Sequence, residues 1–68
     1  MIAVTRLDGA PILLNVDVIY TVEQTPDTLI SLANGETLMV RETPEEILER
    51  VIRFKHAVLD GHGAEPWR

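Results

Sequence analysis

The chain has 68 residues, 46% of them apolar, a formal net charge of −5 and no cysteine. This length provides for one small domain, and the lack of cysteine excludes disulfides and thiolate zinc sites. The negative charge opposes non-specific attraction to nucleic acid and to anionic lipid. Because so short a domain buries only about 60% of its unfolded surface, we expect self-association to add stability.

No part of the sequence has the pattern of a membrane or export segment. The longest apolar run is far shorter than the roughly 20 residues that span a bilayer. The first residues, MIAVTRLDG, lack the charged and then apolar order of a secretory signal. We therefore expect a cytoplasmic protein without membrane insertion.

Five short strands are predicted before the single helix. Asp8-Gly9 predicts a type I′ hairpin, which requires positive φ, and Asn34-Gly35 is the strongest hairpin signal in the chain. Asn15 and its neighbours favour a turn, and Pro26 sets another. These turns separate strands expected at residues 2–7, 12–14, 18–23, 29–33 and 36–41.

The third predicted strand is rich in β-branched and aromatic residues. Strict alternation places Val18, Tyr20 and Val22 on one face, and Ile19 and Thr21 on the other. On this basis the ring of Tyr20 is expected to pack within the sheet while its hydroxyl stays wet.

The helix has a complete start signal. Thr43 is suited to the N-cap, Pro44 to the first helical position, and Glu46 completes a capping box. Gly61 is the expected terminator. The helix is predicted to present a broad apolar face made of Ile47, Leu48, Val51, Ile52, Phe54, Val58 and Leu59.

Charged residues alternate along the rest of this helix. Glu46–Arg50 and Glu49–Arg53 have the spacing of i,i+4 ion pairs. His56 lies among them and is expected to be a solvated surface residue. The cations are thus predicted to belong to a mixed charged face rather than a basic patch.

The predicted fold class is α+β, an antiparallel meander of about five short strands with one C-terminal helix packed on it. Residues 1–60 form the domain, and residues 61–68 are expected to form a flexible tail. Several strands are apolar on both faces, whereas one helix covers only one. The other face must therefore close into a partial barrel or pack on another copy, which predicts a homo-oligomer.

Chemistry-bearing residues are few and scattered. The single serine, Ser31, lies in mid-strand, and neither His56 nor His62 is near a nucleophile signature. The histidines also lack the companion ligands of a metal site. The sequence therefore predicts a protein that is not an enzyme and has no catalytic residues, cofactor or metal.

Four segments in order, MIAVTRLDG, LLN, IYTVEQTPDTLISLANGETL and VRETPEEILERVI, resemble the FlbD/SwrD family of short flagellar and swarming-motility proteins. The resemblance covers about residues 1–55; Asp8 stands where the family more often has Asn. The matching positions, mainly turns and caps, are Thr5, Arg6, Leu7, Gly9, Asn15, Pro26, Asp27, Thr28, Asn34, Gly35, Glu42 and Thr43.

The resemblance implies a cytoplasmic, non-enzymatic protein linked to flagellar operons and motor performance, associated with the flagellar basal body. It supplies no catalytic residues. A role through protein–protein contacts is expected, with an unnamed flagellar partner. Arg50 and Arg53 on the helix and Trp67 in the tail are the candidate partner-binding residues.

Two other resemblances offer nucleic-acid binding as the alternative. The order of strand, hairpin and helix is similar to LytTR-type DNA-binding domains, and GETLM is similar to a motif of CsrA-type RNA-binding dimers. A LytTR-like regulator would require a contiguous basic surface. The acidic loops make nucleic acid the less favoured partner. The residues that would form such a surface are Arg6, Arg41, Arg50, Arg53 and Lys55.

Overall fold

The computed structural model describes residues 1–59. The tail 61–68, Trp67, and the helix terminator predicted at Gly61 lie outside this range. The described elements are β1 (Ile2–Thr5), β2 (Pro11–Leu14), a 3-10 helix (Val16–Val18), β3 (Ile19–Gln24), β4 (Thr28–Leu32), β5 (Thr37–Val40) and α1 (Pro44–Leu59).

The α+β class with five antiparallel strands is confirmed, but the strands form two sheets rather than one meander. β1 pairs with β2, while β3, β4 and β5 pair in that order. The 3-10 helix lies between β2 and β3, which belong to different sheets. The sheets meet where Arg6 bridges Val40 and the Arg41 N–H donates to the Thr5 carbonyl at 2.8 Å. Within residues 1–59 they do not form a closed barrel.

Both glycine hairpins occur where predicted, with a different turn geometry. The Gly9 N–H donates to the Arg6 carbonyl and the Gly35 N–H to the Leu32 carbonyl, each at 2.9 Å. Only the glycines have positive φ, 93° and 91° respectively; no other residue between 1 and 59 does. The expected type I′ turn at Gly9 is therefore wrong. The arrangement is that of a type I turn followed by a G1 bulge, in which the left-handed position needs glycine.

A bulge in β3 changes which side chains face the core. Ile19 pairs with Leu32 but Thr21 with Ser31, so the register shifts across Tyr20. Ile19 and Val22 consequently both pack against the core, and Tyr20 is 76% exposed. The expected strict alternation and the expected packing of the Tyr20 ring within the sheet are therefore wrong. The bulge adds one unpaired residue to β3, so the side chains after it point to the opposite face from the one that alternation predicts.

The core lies between the sheets and α1. Ile30, Val4, Val40 and Ile47 are its most deeply buried side chains. Ile2, Leu14 and Leu38 complete the buried cluster, and Val51 and Phe54 of the helix pack against it. One helix thus contributes to a core that is otherwise built from alternate residues of the short strands.

The start of α1 has the predicted capping box. The Glu46 N–H donates to Thr43 Oγ1 at 3.1 Å, and the Thr43 N–H donates to Glu46 Oε1 at 2.9 Å. Glu46 is therefore used by the cap. The predicted Glu46–Arg50 pair is absent, and Arg50 instead contacts Glu42. The predicted Glu49–Arg53 pair is present at 2.6 Å.

Candidate functional site

The end of β1 and the start of α1 meet at a carboxylate. Glu42 directly precedes the N-cap of α1 and is only 7% exposed. Its Oε1 accepts the Thr5 N–H at 2.8 Å, and its Oε2 accepts the Thr5 hydroxyl at 2.9 Å. One side chain thus fixes the last residue of β1 against the segment that starts the helix.

Arg50 completes this cluster from the second turn of α1. Its Nη1 donates to Glu42 Oε2 at 3.0 Å and to the Ala3 carbonyl at 2.7 Å. Burial raises the pKa of Glu42, but the hydrogen bonds from Thr5 and Arg50 outweigh it and lower the pKa to about 2. The carboxylate is therefore ionised at neutral pH. We call Thr5, Glu42, Arg50 and the Ala3 carbonyl the Glu42 cluster.

Arg41 anchors the first hairpin in a similar way, by hydrogen bonds between distant segments. Its Nε and Nη2 donate to the Leu7 carbonyl at 3.0 and 2.8 Å. The guanidinium also lies near Gly9, where an added Cβ would be 3.5 Å from Nη2. The hairpin tip is therefore held against the end of β5.

The other residues of the predicted motif serve local structure. The Asn15 side chain caps the 3-10 helix by accepting the Asp17 N–H, and Asn34 accepts the Glu36 N–H, both at 3.0 Å. Pro26 follows a cis peptide bond in the turn before β4. Thr28 is buried at the start of that strand, whereas Asp27 is exposed. These positions specify turns and strand ends.

The family model for flagellar and swarming motility proteins, FlbD, matches residues 1–59. The chain belongs to the FlbD family. Membership connects this FlbD-family protein with flagellar and swarming motility. Neither a curated protein nor a solved structure matches it significantly.

The candidate partner-binding residues of the FlbD-family protein have different surroundings. Arg50 belongs to the Glu42 cluster, and its side chain is 37% exposed. Arg53 is more exposed and pairs with Glu49. Trp67 lies outside the described residues. Partner binding by these residues stays a prediction.

The cations named for a basic surface are largely engaged. Arg41 is bound to a carbonyl, Arg50 to Glu42 and Arg53 to Glu49. The Lys55 ammonium lies 3.6 Å from an Asp17 carboxylate oxygen. Their pairing does not favour the contiguous basic surface that a LytTR-like regulator requires.

Two open apolar grooves flank α1. The first, which we call the helix groove, has a volume of about 360 Å³ and lies between the helix and the start of β3. The second, of about 620 Å³, lies near the other end of the helix and includes Leu13, Phe54 and Val58. The helix groove is lined by Val16, Ile19, Val22, Pro44, Ile47, Leu48 and Val51.

Polar chemistry is sparse in the part of the chain that the structure describes. Between residues 1 and 59, no three His, Asp or Glu side chains are grouped so that they could hold a metal ion. No helix in the same range is long and apolar enough to cross a membrane.

Sequence reasoning missed the Glu42 cluster and the contact of Arg41 with Leu7. Thr5 and Glu42 both belonged to the motif, but nothing in their spacing indicated that they touch. The available signal was the placement of Glu42 immediately before a helix cap, where a carboxylate can serve another element of the fold. Because Arg50 was paired with Glu46 in the sequence prediction, its contact with Glu42 was not considered.

Proposed function

We propose that this FlbD-family protein is a non-enzymatic accessory of the flagellar system that acts through protein–protein contacts in the cytoplasm, at the flagellar basal body. One observation carries the proposal. Large apolar side chains remain exposed around the helix and its two grooves, outside the buried core. Exposed apolar patches mark interaction surfaces. Examples are Leu13, Leu48, Ile52 and Leu59.

The Glu42 cluster supports a scaffold role in this proposal. Its carboxylate is saturated by hydrogen bonds from Thr5 and Arg50, and it lies against the protein rather than at the mouth of a pocket. A carboxylate held ionised by three donors is a poor general base, because its pKa lies far below neutral pH. The cluster therefore serves to hold the surface-bearing helix in place.

The test is complementation of a deletion strain in the protein's own bacterium. We expect the deletion to reduce swarm expansion, and the wild-type gene to restore it. Ser31→Ala and His56→Ala, which remove the described candidates for nucleophile and base, should restore it fully. Leu13→Glu and Leu48→Glu each place a charge on the apolar surface. At least one of these two variants should fail to restore swarming although the variant protein is present at normal levels.

Swarm expansion would be measured with flagella counted per cell and the variant protein quantified by immunoblot. Normal motility of the deletion strain would overturn the flagellar role. Loss of motility with Ser31→Ala or His56→Ala at normal protein levels would overturn the non-enzymatic mode. Full complementation by every apolar-to-glutamate variant would overturn action through this surface.

A further inference from the structure

The outward face of α1 carries an apolar stripe that neither sheet covers. Leu48 is 60% exposed, Ile52 is 47% exposed and Leu59 is 82% exposed. Positions four and seven residues apart on a helix lie on one face, so these three side chains share a face, with Lys55 between Ile52 and Leu59. We call Leu48, Ile52 and Leu59 the helix stripe.

The helix groove runs beside this stripe. Leu48 belongs to both, since it lines the groove and protrudes from the helix. Val16, Ile19 and Val51 contribute further apolar walls. The surface therefore has an apolar projection next to an apolar depression, and two copies related by a two-fold axis could each place the projection against the other's depression.

Charges along α1 are segregated by position. The exposed acids Glu45 and Glu49 lie toward its N-terminus, and Arg53 and Lys55 lie toward its C-terminus. Glu49 and Lys55 lie three residues on either side of Ile52, so an antiparallel copy centred on Ile52 places each Glu49 opposite the other copy's Lys55. A parallel copy places like charges together and aligns the two helix dipoles unfavourably.

We propose that two copies of this protein associate through α1, antiparallel and about a two-fold axis near Ile52, with the helix stripe at the centre of the interface. This inference rests on the proposed function in one respect, namely that the protein acts through protein–protein contacts. The partner is a second copy of the chain, because Glu49 and Lys55 carry opposite charges at equal distances from Ile52. In the dimer these two residues exchange their exposed intrachain partners, Arg53 and Asp17, for each other. The stripe is covered in the dimer, and the second groove stays available to another protein.

The first test is the mass of the full chain in solution by light scattering and sedimentation across a concentration series. We expect a dimer for the wild type. Ile52→Glu should raise the dissociation constant by at least about tenfold, because it places a charge at an apolar interface centre. Leu13→Glu is the matched control, since Leu13 is 68% exposed but lies on β2, and it should leave the dimer intact.

The second test uses charge reversal at exposed positions that do not enter the core. Glu45→Lys with Glu49→Lys makes the helix surface cationic, and Arg53→Glu with Lys55→Glu makes it acidic. Each variant alone should be monomeric, whereas an equimolar mixture of the two should form a heterodimer. These variants keep the test valid if Ile52→Glu fails to fold.

The third test fixes the direction of the helices, using the absence of native cysteine. In the antiparallel dimer the two Leu48 residues lie about 12 Å apart along the axis, beyond disulfide reach, while Leu48 lies close to the second copy's Lys55. A mixture of Leu48→Cys and Lys55→Cys chains should form a mixed disulfide under mild oxidation. Rapid Leu48→Cys self-linkage would overturn the antiparallel arrangement.

The results separate this inference from the proposed function. A wild-type monomer at all concentrations, or a dimer abolished by Leu13→Glu and unaffected by Ile52→Glu, would overturn pairing through α1. Either result would leave action by contact with another flagellar protein standing, because the complementation assay measures that independently. A dimer in a protein whose deletion leaves motility normal would instead retain the interface and overturn the flagellar role.

Discussion

Glu42 accepts two hydrogen bonds from Thr5, a residue 37 positions earlier in the chain. The pair joins the end of β1 to the start of α1, and Arg50 adds a third donor from within the helix. Because burial keeps water away from the carboxylate, these donors supply the hydrogen bonds that it would otherwise make with solvent. The contact therefore couples the two-stranded sheet to the helix by polar bonds as well as by apolar packing.

Replacement of this carboxylate should destabilise the fold. Glu42→Gln removes the charge opposite Arg50 and turns one acceptor oxygen into a donor facing Thr5. We expect the free energy of unfolding to fall by about 1–3 kcal/mol, measured by urea denaturation at pH 7. Glu49→Gln removes a carboxylate from an exposed ion pair and should cost under about 0.5 kcal/mol. Equal losses for the two variants would contradict the role assigned to Glu42.

The same carboxylate predicts an acid-sensitive fold. The pKa of Glu42 is lowered in the folded protein from its ordinary value of 4.5 to about 2. Stability from this group is therefore fully present above about pH 4.5 and is lost as the pH falls toward 2. The expected loss is on the order of 3 kcal/mol, measured as urea midpoints from pH 6 to pH 2. The pH dependence of the urea midpoint should be markedly weaker in Glu42→Gln. If that variant lost as much stability in acid as the wild type, the acid sensitivity would come from other groups.

The capping box should contribute a separate, local amount of stability. Thr43→Ala removes the oxygen that accepts the Glu46 N–H and is expected to cost about 1 kcal/mol. Thr43→Ser keeps that oxygen and should cost much less. Thermal unfolding followed by circular dichroism at 222 nm would compare the two variants. The prediction is contradicted if serine is as unfavourable as alanine.

The bulge in β3 can be tested by paired alanine substitutions. Ile19→Ala removes a side chain that packs against the core and should cost about 1–2 kcal/mol. Tyr20→Ala removes a larger but exposed side chain and should cost under about 0.5 kcal/mol. Comparison of the free energies of unfolding of the two variants by urea denaturation shows which side chain faces the core. A greater loss for Tyr20→Ala would support strict alternation without a bulge.

Turns and caps that are closed by hydrogen bonds between residues a few positions apart were predictable from the sequence. The capping box joins Thr43 to Glu46, and the turn at Gly35 is closed by bonds within a short segment. Propensity and spacing specify such features because all the participating atoms lie in one stretch of chain. Even so, the pattern Asp8-Gly9 indicated the turn but the wrong turn type, because the turn is centred on Leu7 and Asp8 and Gly9 takes the bulge position after it.

The sequence by itself determined five strands, one capped helix, their order and the family resemblance, because these depend on local backbone preferences and on ordered motifs. Only the tertiary structure decided that Thr5 meets Glu42, that Arg41 holds the Leu7 carbonyl and that the strands divide into two sheets. It also decided which half of the apolar helix face is buried. Those outcomes depend on how the sheets and the helix pack in three dimensions, and contacts between residues more than 30 positions apart leave no periodic signal in the chain.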